Sequence, residues 1–393
     1  MYSVIFISLA DPSGTSGQNI STKEIINALN RNEKINNLDV ICPTPKYDLP
    51  VEIENTLNNN LCLPPKKNKN ILWHIKSQIK MLQIMKNLSS YCDFIVVRSG
   101  PTLFVPPLIS QLFDIPLFLL VRGGGGHEVV DNNFWIKIYT KSFGKVKDKF
   151  SVMISKKIYI ACEEALQDLE GFLNRDDLEK KVSVFTNAVN PDLFPTIPMN
   201  KAREELDISK EAVIIGFIGS LKKRHCLLEL LQAVNNLFRE LDNLKIMIVG
   251  TGPEFDTIQN YIEKNNLEKI ILNFGYVQHE KVYKYIAACD ILYGVINPKY
   301  PSNPIKNYEA LACSRPIITS KKKEFEFVKK VQCGYVIDKV SVVNIIEVIK
   351  QVYSANKSRL IKMGVRGREY VLKNHTWDIL AEKLINDYQE LSE

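Results

Sequence analysis

What the sequence lacks narrows its class before any motif is read. No two of its eight cysteines form a CxxC pair, and most sit in or beside apolar runs, where a free cysteine behaves as a small hydrophobe. That argues against a disulfide framework or a zinc ribbon and for a reducing compartment. The opening MYSVIFISLADPSG has neither the basic segment nor the long apolar stretch of a secretion signal. The most apolar later window, Leu103–Val121, is broken by Pro106, Pro107 and Pro116 and carries Asp114, which speaks against a membrane span. A cytoplasmic protein is expected, with peripheral contact at the inner face of an anionic membrane left open. RNP, zinc-finger and basic-zipper patterns are missing, and a net charge of +7 is too weak a bias for nucleic acid, so no nucleic-acid partner is expected. No D-x-D suits a catalytic cation, and the pair Asp176–Asp177 reads as a solvated turn. Neither a metal nor a cofactor is expected.

What is present is a repeated strand–loop–helix rhythm. The 393 residues are 45% apolar and 24% charged, an ordinary globular composition long enough for two cores. Short β-branched runs alternate with longer amphipathic stretches, the signature of βαβ units and a parallel sheet. The first half offers strands at Tyr2–Ser8, Val40–Cys42, Phe94–Arg98, Leu117–Val121, Ile158–Cys162 and Val182–Thr186. The second offers Val213–Ile218, Lys245–Val249, Ile270–Phe274, Ile291–Val295, Ile317–Thr319 and Tyr335–Ile337. The first helix is expected to be capped at Ser21, with Glu24 in capping-box spacing. The stretch NPDLFPTIP at 190–198, with three prolines, reads as a linker. Residues 1–195 and 200–373 are thus expected as two doubly wound α/β domains, with ligands at the carboxyl ends of their strands.

Four blocks of the second half carry chemistry. In GFIGSLKKRHCLLELLQA (216–233) a strand ends at Gly219–Ser220, and a loop with Arg224 and His225 leads into a helix; exposed N–H groups at such a turn form an anion site. LKIMIVGTGPEFDTIQNYI (244–262) places Gly250 after a buried strand. NFGYVQHEKVYKYIAACDILYGV (273–295) places Tyr276 and Val277 after a third strand. YPSNPIKNYEALACSRPIITS (300–320) brings Asn303, Lys306 and Glu309 together, with the last two sharing one helix face. A phosphate-binding lysine and a carboxylate that accepts ribose O–H bonds suit one nucleoside diphosphate. The plainer readings are an ordinary βα turn and a surface ion pair.

These blocks resemble the retaining nucleotide-sugar glycosyltransferases of family 4, in the branch with an N-P-x-K-x-x-E donor motif. FTNAVNPDLF (185–194), YIACEEALQDL (159–169) and GVRGREYVLKNHTWDILAEKL (364–384) add smaller matches. The resemblance covers about residues 155–385 and implies a GT-B fold, two Rossmann-like domains facing across a cleft, with the C-terminal helix 376–393 crossing back onto the first. It implies donor contacts from Gly219, Ser220, Arg224, His225, Gly250, Tyr276, Val277, Asn303, Lys306 and Glu309. The sequence departs from the family pattern at Ser220, His225 and Pro301, where members often have Arg, Lys and Glu.

The first half is read from physics. Gly17, in the loop GTSGQN, and Arg98, at the end of a strand, are candidate acceptor-side residues. So are Arg122 and Gly125 in VRGGGGHEVV, where four consecutive glycines are costly to order. His127, just after them, stands where family members often have a histidine that contacts the donor sugar; with Lys306 and Glu309 it completes the expected catalytic set. Residues 134–157 carry seven lysines, one aspartate and aromatics at Trp135, Tyr139, Phe143 and Phe150, either a core-facing helix or one lying on anionic lipid. The resemblance implies a metal-independent, retaining transfer of a hexose-type sugar from a UDP- or GDP-sugar to a glycan or lipid-linked saccharide, in a setting such as surface polysaccharide synthesis. A GT-B-fold sugar-nucleotide epimerase and a non-catalytic nucleotide-sugar binding protein remain the alternatives.

Overall fold

The computed structural model describes residues 1–49, 51–57, 61–65, 71–100, 102–122 and 144–393. The chain divides into two compact units, one of residues 1–187, 301–303 and 377–393, the other of residues 188–300 and 304–376.

In the first unit the described residues form a six-stranded sheet of β1 (Tyr2–Ile7), β2 (Ile35–Ile41), β3 (Phe94–Arg98), β4 (Leu117–Val121), β5 (Lys157–Ile160) and β6 (Val182–Val184), in the order β2-β1-β3-β4-β5-β6. Every pairing is parallel. β3 and β4 are buried at every position, as continuous apolar runs require when helices cover both faces. The helix Trp377–Ser392 closes this unit. Tyr388 stacks on Phe94 at 4.7 Å, the Tyr159 hydroxyl donates to Asp387, and Lys34 pairs with Glu382 at 2.7 Å.

The second unit has β7 (Val213–Ile218), β8 (Leu244–Val249), β9 (Ile271–Gly275), β10 (Ile291–Tyr293), β11 (Ile317–Ser320) and β12 (Gly334–Ile337), in the order β12-β11-β10-β7-β8-β9. This is the doubly wound Rossmann order, with the winding reversing between β7 and β10. Two apolar clusters cover its two faces, one around Leu230, Val234 and Ile349, the other around Tyr308, Leu311 and Val328. Beside them lies a buried ion pair: Arg203 Nη2 meets Asp290 Oδ2 at 2.7 Å, and the same oxygen accepts from Ile214 N. Three further Arg203 bonds of 2.9 Å go to the carbonyls of Ala288, Lys210 and Ala212. The charges are buried but satisfied, which is the condition for tolerating them.

Two expectations change. The first helix runs Gly17–Arg31 and is capped by Ser16, whose side chain accepts from Asn19 N. Ser21 lies inside it and donates to Gln18 O, because a Ser hydroxyl in a helix turns to the carbonyl of the preceding turn. The stretch 190–198 is not a loose linker: Val189 bridges Thr376, and Phe194 is buried in the second unit's core. Apolar side chains between prolines gain more by burial than by solvation. All eight cysteines are free thiols, buried except for the half-buried Cys92.

Candidate functional site

At the winding reversal of the second sheet, β7 leads into Gly219 and Ser220, and the helix Ile305–Ala312 follows β10. Backbone bonds stitch the surrounding loops together. Gly219 N donates to Val249 O at 2.9 Å, Leu221 N to Thr251 O at 2.9 Å, Gly250 N to Gly275 O at 2.6 Å and Asn297 N to Arg224 O at 2.8 Å. Gly250 has φ +134°, and a Cβ there would lie 2.0 Å from the Gly219 carbonyl oxygen. Only glycine lets these two loops approach so closely.

Lys306, in the first turn of its helix, lies along Gly219: a Cβ on that glycine would be 3.6 Å from Lys306 Cδ. Its Nζ is buried, has no hydrogen-bond partner and sits 3.9 Å from the centroid of the Phe217 ring. Burial, then the nearby Arg224 charge, pull its pKa down to about 7, against the opposing pull of Cys226 and Glu309. An ammonium carries three donors, and leaving them all unmatched in a buried place is costly. An anion beside it would supply the missing acceptors and favour the charged form.

His225 is buried edge-on against the same Phe217 ring at 5.9 Å, and its Nδ1 has no hydrogen-bond partner. Burial, then the charges of Lys306, Arg224 and Lys222, hold its pKa well below the ordinary histidine value. It is therefore a neutral imidazole near pH 7. Glu309 is also buried, and its Oε1 lies 2.7 Å from His279 Nε2. His279 was not singled out from sequence; the histidine of VQHEKV was the available signal, but the contact spans 30 residues. Tyr276 and Val277 follow Gly275, whose φ is +60°. Tyr276 is 56% exposed, whereas Val277 is half-buried and packs against the core.

Asn303, expected among the donor contacts, groups with the first unit. Its Nδ2 donates to Ala161 O at 2.9 Å, and its carbonyl accepts from Asn187 Nδ2. A buried carboxamide is held where backbone partners exist, and these lie in the first unit.

In the first unit, Arg98 ends β3, where the sheet's winding reverses between β1 and β3. Its Nη1 donates to Ser21 Oγ at 2.6 Å, and burial lowers its pKa to about 10. Gly17 opens the first helix and is exposed. Arg122 Nη1 donates to the carbonyls of Phe185 and Thr186, both at 2.9 Å, and its guanidinium lies over the Phe185 and Trp377 rings. These contacts brace backbone. Gly125 and His127 lie outside the described residues.

Residues 198–370 match the family model of the glycosyl transferases group 1. The chain is 22% identical over 213 residues to the N-acetyl-alpha-D-glucosaminyl L-malate synthase of Bacillus anthracis, covering 54% of this chain and 53% of that one. It is 22% identical over 226 residues to the phosphatidylinositol N-acetylglucosaminyltransferase GPI3 subunit of Saccharomyces cerevisiae, covering 57% and 49%. The chain thus spans about half the length of the curated relatives it matches. Sucrose-phosphate synthase from Thermosynechococcus elongatus superposes with a TM-score of 0.76 at 16% identity, over 100% of this chain and 99% of that one. These likenesses and the two sheet orders assign the fold: two parallel-sheet, Rossmann-like units of the GT-B kind, the second carrying the group 1 glycosyl transferase match.

Proposed function

We propose that this chain is a retaining, metal-independent glycosyltransferase that moves a hexose-type sugar from a UDP- or GDP-sugar to a glycan or lipid-linked saccharide. The observation that carries the reading is Lys306, a buried ammonium without a hydrogen-bond partner at the winding reversal of a Rossmann sheet. A donor diphosphate supplies the missing partner. Lys306, Arg224 and the N–H groups at Gly219–Ser220 take its negative charge, and Glu309 accepts ribose hydroxyls. The exposed Tyr276 ring offers a stacking face for the base.

When the C1–oxygen bond to the diphosphate breaks, charge grows on the leaving oxygen, and fixed cations and N–H dipoles stabilise it. The acceptor hydroxyl attacks C1 from the same face, and its proton passes to the departing phosphate. That scheme retains the anomeric configuration and needs no carboxylate nucleophile. The name of one relative, a phosphatidylinositol N-acetylglucosaminyltransferase subunit, supports a lipid acceptor, whereas another relative's name carries malate, which is neither glycan nor lipid. Surface polysaccharide assembly is the setting we propose.

Incubation with labelled UDP- and GDP-sugars and a set of saccharide acceptors, in the presence of a chelator, tests this. Transfer with retained configuration is expected. Interconversion of sugars without transfer would instead make the chain an epimerase. Binding without turnover would make it a nucleotide-sugar receptor, the reading that Pro301 and Ser220 would then explain.

A further inference from the structure

In the first unit the helix Ile71–Leu88 has two apolar faces, and only one meets the core. Trp73, Met81, Met85 and Leu88 are buried. Leu72, Ile75, Ile79 and Leu82 are 60, 50, 56 and 41% exposed, at positions that recur along one side of a helix. Scattered exposed apolar residues are ordinary, but a contiguous patch marks a binding surface. The stripe is extended by its neighbours. Gln78 Oε1 accepts from the N–H groups of Phe104 and Val105, seating the helix Val105–Phe113 alongside. That helix leaves Phe104, Leu112 and Phe113 exposed at 44, 66 and 45%. Phe104 stacks on Phe150 of the helix Lys145–Ile154, which in turn exposes Val146 and Met153.

The charge around this patch is mainly positive, with one exposed acid, Asp114, at the end of the helix Val105–Phe113. The helix Ile71–Leu88 contains no acidic residue and exposes Lys76 and Lys86. The helix Lys145–Ile154 adds exposed Lys145 and Lys149, and its one acid, Asp148, is ion-paired with Lys147. Among the described residues no helix is long and apolar enough to cross a membrane. Apolar side chains in a lysine rim match the two layers of an anionic bilayer, acyl chains beneath phosphate headgroups.

We propose that this three-helix face docks on the surface of an anionic lipid bilayer, with Leu72, Ile75, Ile79 and Leu82 entering the interface and the lysines meeting headgroup phosphates. The proposal rests only on the lipid-linked acceptor part of the reading above. Its test uses no donor, so either can fail while the other stands.

The full chain is floated with vesicles of phosphatidylcholine and of phosphatidylcholine mixed with phosphatidylglycerol. Binding to the mixed vesicles and little to the neutral ones is expected. Ile75→Ser with Ile79→Ser lowers the partition coefficient at least about tenfold, and Lys76→Gln and Lys86→Gln lower it about fivefold each. Both positions are exposed, so unchanged thermal melting is the folding control. Equal binding to both vesicle types, no binding, or unaffected variants overturn the proposal. So does a dimer, seen by light scattering, that the double isoleucine variant converts to monomer, since the face would then cover a second copy.

Discussion

His279 Nε2 lies 2.7 Å from Glu309 Oε1, and the two side chains are only 12 and 8% exposed. The histidine also packs edge-on against Phe194 at 5.4 Å, so its ring is fixed and in turn fixes the carboxylate. On the proposed reading, its role is to position Glu309 for the donor. His279→Ala is expected to raise the KM for donor about tenfold with kcat changed less, the signature of lost ground-state binding. Steady-state kinetics over donor concentration checks it, and His279→Gln, which can still donate, should recover part of the loss.

Lys306 should make donor binding pH-dependent. In the free protein its pKa is about 7, so the ammonium is present below that pH and lost as pH rises through it. A UDP-sugar favours the charged form and carries a fixed diphosphate charge in this range. Affinity is therefore expected to fall by up to about tenfold per pH unit above neutrality. Lys306→Arg, charged throughout, should flatten the profile. Titration calorimetry should also detect proton uptake on binding near pH 8 in the native protein and none in the variant.

Removing the charge separates stability from function. Lys306→Met leaves an apolar side chain over Phe217 and lifts the burden of an unmatched buried ammonium. The urea midpoint should rise while turnover falls at least about tenfold. Native-like turnover would remove Lys306 from the site.

Gly250→Ala places a methyl group 2.0 Å from the Gly219 oxygen, at a backbone φ of +134°. Backbone strain of this kind costs on the order of 1–3 kcal/mol, and relief requires Gly219 to move. Lower stability in urea and weaker donor binding are expected together, and stability alone changing would show that the loop junction only supports the fold.

Asp290→Ala leaves Arg203 buried with its carbonyl bonds but no counter-charge. A loss of about 3–5 kcal/mol is expected, read from the urea midpoint. Replacing both residues by apolar ones of similar volume should recover much of it.

The order of strands and helices was legible along the chain because each is a local pattern: apolar runs for two-face-buried strands, amphipathic stretches between them and glycine where β7 and β8 end. The same locality made Lys306 and Glu309 readable, three residues apart on one turn. The cap of the first helix was missed by five residues because Ser16 and Ser21 offer the same hydroxyl, and only the observed Ser16–Asn19 bond chooses between them.

By itself the sequence determined two sets of alternating elements and the turn residues that end them. The tertiary structure decided the rest. It set the strand orders that put the winding reversals at Gly219 and Arg98, joined His279 to Glu309 across 30 residues, and gave Asn303 its partners at Ala161 and Asn187. It also decided which apolar side of Ile71–Leu88 meets the core and which is left exposed. Periodicity marks a residue's side of its own helix or strand, but which neighbour covers that side is settled only when distant segments pack and compete for the same buried area.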